Sequence, residues 1–330
     1  MKKLILCFLI AFLSTFFLSA NFYASSTQAQ SENIAQLASS VELVTVDLSN
    51  NRITIGQNPY FKNIKEPKIF RFAEIDKAPL LLVNKTHPVN KDFYNPNSID
   101  LTDKLPTTKN NLKLASEAAQ ALIDLFCAAK NDGIKNLTIV SAYRSYNYQN
   151  NLHNRKIDFY LKQGKSLNEA KKLAATVVAL PGTSEHQTSL AVDFSSREIL
   201  KNGGLEQNFE STPEGIWLRD NAYKFGFILR YPADKQSITG IIYEPWHFRY
   251  LGKPHSEIIY KNKFCLEEYI DYLKKNKKIE YTSENGQKFL IHYLENIRNI
   301  KEIEVWAYTG QAIGASLDNT GGLILTLEVE

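Results

Sequence analysis

TSEHQTSLAVD (residues 183–193) is a polar loop running into a short strand, and it gains meaning beside a second segment, YEPWH (residues 243–247). Together they hold two histidines, His186 and His247, and two carboxylates, Asp193 and Glu244. Catalytic zinc takes three protein ligands and keeps a fourth position open, so two imidazoles and one carboxylate satisfy it without a thiolate. Glu244, three residues before His247, is then available as a base beside the metal. A helical H-E-x-x-H site is excluded, because His186 and Asp193 lie seven residues apart across a loop-to-strand junction. Glu244 and His247 lie in a strand-like run, where a regular pleat sends residues three apart to opposite faces. Pro245, which lacks an N–H, marks a bulge or edge that re-aims them.

Upstream, Leu112–Lys130 carries apolar residues at helical spacing and stops at Gly133, which predicts a helix. NLTIVSAYRS (136–145) predicts a strand, followed by a polar helix over Tyr146–Gln163. Ser166 and Glu169 predict a capping box for a helix that Pro181 terminates, and Ser211 with Glu214 a second box for a helix ending near Gly226. FILRYP (227–232) and TGIIYEPWHFRYLG (239–252) read as strand-like. The Asn-, Pro- and Asp-rich segment Pro79–Asp103 predicts an extended wrap around the domain. At the ends, alternating VELVTVDL and RITIG flank an Asn50-Asn51 turn, and EIEVWAYT and GLILTLEVE flank DNTGG, which predicts a small β appendage on either side.

The chain opens with Lys2, Lys3 and an apolar run from Leu4 to Ala20, the pattern of a secretory signal or an uncleaved N-terminal anchor. Cys7 lies inside that run, not beside a cleavage site, which argues against lipidation. No later stretch approaches the roughly 20 apolar residues of a second span, so the expected location is extracellular or cell-wall associated. The net charge of +4 includes those two lysines, and so weak a balance excludes a nucleic-acid partner. Lys274–Lys278 reads as a solvated helix end. Of the remaining cysteines, Cys127 falls in an apolar helical stretch and is expected to be buried; a Cys127–Cys265 bridge is not favoured.

The paired segments resemble the SxHxxGxAxD and ExxH signatures of the lysostaphin, D-Ala-D-Ala metallopeptidase and hedgehog superfamily, most closely its VanY-type D-alanyl-D-alanine carboxypeptidases. LLLVNKTHPVNKDF, SAYRSYNYQ, WLRDNAYKFGFILRYPADK and YEPWHFRYLG extend the resemblance over roughly Pro79–Leu273. It implies an α+β domain whose central antiparallel sheet carries a zinc site flanked by helices. It also implies one Zn2+ held by His186, Asp193 and His247, with Glu244 as general base and acid and Arg144 on the substrate's terminal carboxylate. Gln149 and Ser184 match positions that bond the peptide, and Tyr231 one near the scissile carbonyl. The residues also admit plainer roles: Gln149 exposed on a helix, Ser184 shaping a turn, Tyr231 a core aromatic with its hydroxyl at the surface. Trp246 is expected beneath the site, and His87, His153, His255 and His292 outside it. Ser189 stands where the motif has glycine, and Ala142 likewise in SAYRS; a positive φ at 189 would strain serine.

The expected organisation is a signal or anchor (1–24), a linker (25–40), a β appendage (41–78), the zinc carboxypeptidase domain (79–275) and a C-terminal β appendage (276–330). The implied activity is removal of the terminal D-Ala from peptidoglycan stem peptides, with no protein partner expected. An L,D-carboxypeptidase acting on tetrapeptide stems uses the same kind of site, and a non-catalytic zinc-containing wall-binding module is the rival from another class. The presence of Glu244 argues against the latter.

Overall fold

A computed structural model describes residues 44–47, 52–55, 68–71, 77–295, 304–307 and 311–329. The expected signal or anchor, the linker and the Asn50-Asn51 turn lie outside the described residues. The strands are β1 (Val44–Asp47), β2 (Arg52–Ile55), β3 (Lys68–Arg71), β4 (Ser98–Asp100), β5 (Lys113–Ala115), β6 (Leu137–Ser141), β7 (Ala191–Ser196), β8 (Phe227–Leu229) and β9 (His247–Tyr250), then β10 (Lys278–Thr282), β11 (Lys288–Leu294), β12 (Glu304–Ala307), β13 (Gln311–Leu317) and β14 (Leu323–Val329). The helices are α1 (Ser116–Asn131), α2 (Tyr146–Lys162), α3 (Leu167–Val177), α4 (Arg197–Asn202), α5 (Pro213–Asn221), α6 (Gln236–Thr239), α7 (His255–Asn262) and α8 (Leu266–Asn276).

The chain falls into two units. In the smaller, β1 and β2 form the expected hairpin, and β12 runs parallel to β2 and antiparallel to β3. The larger unit holds the α+β domain. Its central sheet has the order β6-β7-β9-β8, with every neighbouring pair antiparallel. Because side chains alternate along a strand, Val192, Phe194 and Phe248 turn one face of this sheet into a core with Leu122 and Leu125 of α1 and Leu218 of α5. Asp193, His247 and Arg249 point to the opposite face. That alternation is why a charged cluster sits directly above an apolar core.

The segment from 276 onward does not form one appendage. β12 joins the smaller unit, whereas β10, β11, β14 and β13 form a sheet of the larger one. Ile291, Tyr293 and Ile324 of that sheet share a buried cluster with Leu266, Ile270 and Leu273 of α8, so burial of apolar area holds it to the domain. Pro79–Asp103 does wrap the domain, yet Leu80, Leu82 and Val83 are core residues, and the Pro79 and Leu81 carbonyls accept from Arg249 at 2.8 Å each.

Three local expectations shift. Lys113–Ala115, expected as the first turn of a helix, is strand β5 paired with β4, and the helix begins at Ser116. Periodicity alone does not see Asn111 at φ 61°, which turns the chain into that pairing. The cap of α5 is Thr212, whose side chain accepts from Gly215 N–H, and not Ser211. Cys127 is exposed, because the core stripe of α1 runs through Leu122, Leu125 and Ala129; Cys127 and Cys265 are both free. Among the described residues no helix is long and apolar enough to cross a membrane.

Candidate active site

Pairing of β7 with β9 sets Asp193 directly opposite His247. His186 comes from a single 3-10 turn, Glu185–Thr188, that leads into β7. Its ring is fixed by Nδ1 bonding to the Ala142 carbonyl at 2.6 Å, and its own carbonyl accepts from Arg144 N–H at 3.1 Å. Nδ1 is therefore the protonated nitrogen, and the lone pair of Nε2 is aimed at Asp193, 3.2 Å from Oδ2. His247 approaches Asp193 with Nδ1, 3.0 Å from Oδ1. One ligand atom from each of the three residues lies within 4.8 Å of the others, and all three residues are buried. His186 Nε2, which faces Asp193, has no hydrogen-bond partner although it is buried. Two imidazoles and a carboxylate converging in this way fit a tetrahedral zinc ion.

Glu244 reaches the same point by a route the sequence reading missed. Strand β9 begins at His247, and Glu244–Trp246 form a turn in which His247 N–H donates to the Glu244 carbonyl at 3.1 Å. No pleat separates the two side chains, and Glu244 Oε2 lies 3.9 Å from His247 Nδ1. Pro245 acts as a turn residue and not as a bulge.

These groups line a cavity of about 380 Å³ together with Arg144, Gln149, Ser184, Tyr231 and Trp246. Arg144 donates Nε to Ser141 Oγ at 2.8 Å and Nη2 to Asp193 Oδ2, which fixes the plane of the guanidinium. Gln149 is buried, not exposed: its Nε2 donates to the Ala179 carbonyl at 2.8 Å, leaving Oε1 without a protein partner. Ser184 precedes the 3-10 turn but its side chain makes no capping bond. The Tyr231 ring packs on His247 with centroids 4.8 Å apart, and Trp246 forms part of the cavity wall. His153 and His255 are buried and bonded elsewhere, to the Val178 carbonyl and to Tyr269 and Thr326. His292 is buried on β11, and His87 lies in a turn with Asn84.

Burial dominates the electrostatics. It pushes the Glu244 carboxyl up to about 8, with the neighbouring His247 pulling the other way. For Asp193 burial also acts upward, but neighbouring groups, the Arg144 guanidinium among them, outweigh it and hold the carboxyl well below its usual range. Burial and the Arg144 charge lower His186 to about 4, so it is a neutral imidazole. Two carboxylates in one cavity thus have opposite tendencies: Asp193 stays ionised, and Glu244 exchanges a proton readily near neutrality.

The sequence reading assigned nothing to Glu185, Arg230 or Arg249. Glu185 Oε1 accepts from Arg230 Nε and Arg249 Nη1, each at 2.8 Å, and all three side chains are fully buried. Arg230 continues as a two-pronged pair with Glu267 at 2.7 and 2.9 Å. The available signal was arginine within the apolar runs FILRYP and WHFRYLG, since a buried arginine must be paired.

Residues 111–253 match the VanY family, D-alanyl-D-alanine carboxypeptidase. A D-alanyl-D-alanine carboxypeptidase of Enterococcus faecium is 32% identical over 278 residues, covering 82% of this chain and 80% of that protein. The chain belongs to the VanY family. Among solved structures, VanYB in complex with D-alanine-D-alanine is 36% identical with a TM-score of 0.51, covering 58% of this chain and 97% of that one. The LdcB LD-carboxypeptidase is 35% identical with a TM-score of 0.51, covering 69% and 94%.

The VanY-family motif has glycine where this chain has Ser189, and the backbone there takes the left-handed conformation that favours glycine. Ser189 sits at φ 61°, ψ 24°, and its hydroxyl is buried with no partner. A left-handed conformation costs a non-glycine residue roughly 1–2 kcal/mol, and an unsatisfied buried hydroxyl about 1–3 kcal/mol. The extra chain entropy of glycine offsets about 0.5–1 kcal/mol. Ser189→Gly is therefore expected to stabilise the protein by about 1–4 kcal/mol, read as a higher urea midpoint at unchanged slope. An unchanged or lower midpoint contradicts the strain argument.

Proposed function

We propose that the protein is a zinc-dependent D-alanyl-D-alanine carboxypeptidase that removes the terminal D-Ala from peptidoglycan stem peptides, with the zinc held by His186, Asp193 and His247. The observation that carries this reading is the convergence of three metal-ligating groups, a proton-exchanging Glu244 and a fixed Arg144 cation in one cavity. A zinc ion held there supplies Lewis acidity, acidifying a water molecule and polarising the scissile carbonyl.

The protein's own groups perform the rest. Glu244 takes the proton of the attacking water and delivers it to the leaving amine, a role suited to a carboxyl whose pKa lies near neutrality. Tyr231, whose burial keeps its phenol protonated, lends a donor to the developing oxyanion. Gln149 Oε1 accepts a peptide N–H, because its amide is already oriented by Ala179. Ser184 supplies a further bond to the peptide, and Arg144 pairs with the terminal carboxylate.

Two contacts anchor Arg144 within the protein, and the exopeptidase character follows from its charge. Converting the substrate's C-terminal carboxylate to an amide is expected to slow the wild-type protein by about 10²-fold, since a charge-assisted hydrogen bond contributes about 1.5–3 kcal/mol. Arg144→Ala is expected to be slow on both substrates and to discriminate between them far less, a coupling read from the four rates. An equal loss on amidation in both proteins refutes the clamp.

The similarity to LdcB supports a second reading, an L,D-carboxypeptidase acting on tetrapeptide stems. A hydrophobic pocket distinguishes one methyl group by only about 1–3 kcal/mol. Rates on pentapeptide and tetrapeptide stems separate the two, and a preference for the tetrapeptide selects the second. The N-terminal signal or anchor pattern supports an extracellular or wall-associated location. Fractionation of producing cells tests it, and protein confined to the cytosol contradicts it.

A further inference from the structure

His247 has two ring nitrogens, and only one can face the metal. Nδ1 lies 3.0 Å from Asp193 Oδ1 and 3.9 Å from Glu244, inside the reactive cavity. Nε2 points the other way, toward Glu185 Oε2 at 3.6 Å. Both of these atoms are buried without a hydrogen-bond partner, and each is the nearest charged or ring atom the other is offered. The separation is that of an ion pair, and a small rotation of the ring brings it to the roughly 3.0 Å of an N–H···O bond.

We propose that Glu185 is the positioning residue of the metal site: its Oε2 takes the Nε2–H of His247 and so presents the Nδ1 lone pair to the metal. The inference rests on the reading of His247 as a ligand. Its strength comes from what holds Glu185. Oε1 is committed to Arg230 and Arg249, Arg230 is locked by Glu267, and Arg249 is tied to the Pro79 and Leu81 carbonyls. The carboxylate therefore has one free oxygen, and that oxygen faces one imidazole. A metal-bound imidazole whose second nitrogen donates to a carboxylate has its tautomer and orientation set. The buried ionic network thus explains why a charged Glu185 stands between Ser184 and His186 where it touches no substrate-facing space.

Glu185→Gln is the discriminating variant. The arginine donors require an acceptor at the Oε1 position, so the amide oxygen stays there and the NH2 turns toward His247. Nε2 must then accept, and the ring proton moves to Nδ1, the atom that faces the metal. Zinc affinity, measured by competition with a chromophoric chelator, is expected to fall about 10–100-fold. Glu267→Gln disturbs the same network without touching His247 and serves as the structural control; it is expected to lower stability and leave zinc affinity within about threefold. A second readout needs no variant: nitrogen-15 NMR of the zinc-loaded wild-type protein should show His247 bound through Nδ1, with a slowly exchanging proton on Nε2. Wild-type zinc affinity in folded Glu185→Gln, or a rapidly exchanging Nε2 proton with Nδ1 on zinc, overturns the role of Glu185 alone. His247 resonances that do not respond to zinc overturn the ligand assignment itself.

Discussion

Glu244→Gln is expected to retain its zinc and to hydrolyse stem peptides about 10²–10⁴-fold more slowly, the range for losing a positioned general acid–base. The substitution preserves shape and removes only the ability to take and return a proton. Glu244 is buried at 7% exposure, and its backbone is fixed at both the N–H, which donates to the Tyr231 carbonyl at 3.2 Å, and the carbonyl, which accepts from His247. The isostere has no reason to move. Burial raises the carboxyl to about 8, so glutamine replaces a group already partly protonated near neutrality and costs little in stability. Zinc content and thermal midpoint close to wild type, with turnover collapsed, is the expected combination. Near-normal turnover with intact metal assigns the base to another residue.

His247→Ala is expected to lose both metal and activity. The side chain meets Asp193 directly across the β7–β9 pair, and without it two protein ligands remain, fewer than a zinc site requires. Zinc should fall from one per chain to less than about a tenth after dialysis, because site affinity is the sum of few strong bonds. Hydrolysis should fall at least as far as in Glu244→Gln. The fold is expected to survive, since the core face of the sheet is built from Val192, Phe194 and Phe248 and does not include residue 247. Undiminished zinc in a folded His247→Ala protein removes that residue from the coordination set.

The site was legible in the sequence to the extent that its residues come in short motifs. His186 and Asp193 are joined by one turn and the start of one strand, and Glu244 and His247 by one turn, so local spacing carries their chemistry. Legibility failed where a single register or a distant partner decides the outcome. Glu244 reads as a strand residue because it lies within the strand-like run TGIIYEPWHFRYLG, and only the turn ending at His247 shows that pleat alternation does not apply. Leu112–Lys130 has unbroken helical periodicity, yet pairing with β4 overrides propensity at Lys113–Ala115. Cys127 was placed in the core because its neighbours are apolar; the stripe that faces the sheet passes two residues to either side. Glu185 finds its arginines 45 and 64 residues away, and no local rule pairs residues at that distance. The same holds for β12, which joins strands from the other end of the chain.

Fold class was expected from the resemblance to the family, and one strand displays its division of faces. Alternation in LAVDF places Asp193 on one face and Val192 and Phe194 on the other, and that division between a reactive face and an apolar face is what the central sheet displays. Ser189 shows the converse: the motif's glycine marks a left-handed position, which the backbone keeps even with serine in place.

The most direct test of the account is mass spectrometry of the products formed when the zinc-loaded protein acts on a stem pentapeptide ending in D-Ala-D-Ala and on the same peptide amidated at its C-terminus. The free acid is expected to give a product shorter by one alanine, lost on chelation and restored by zinc, with the amide cut about 10²-fold more slowly. Cleavage at an internal bond, equal cleavage of acid and amide, or an unchanged pentapeptide would contradict it.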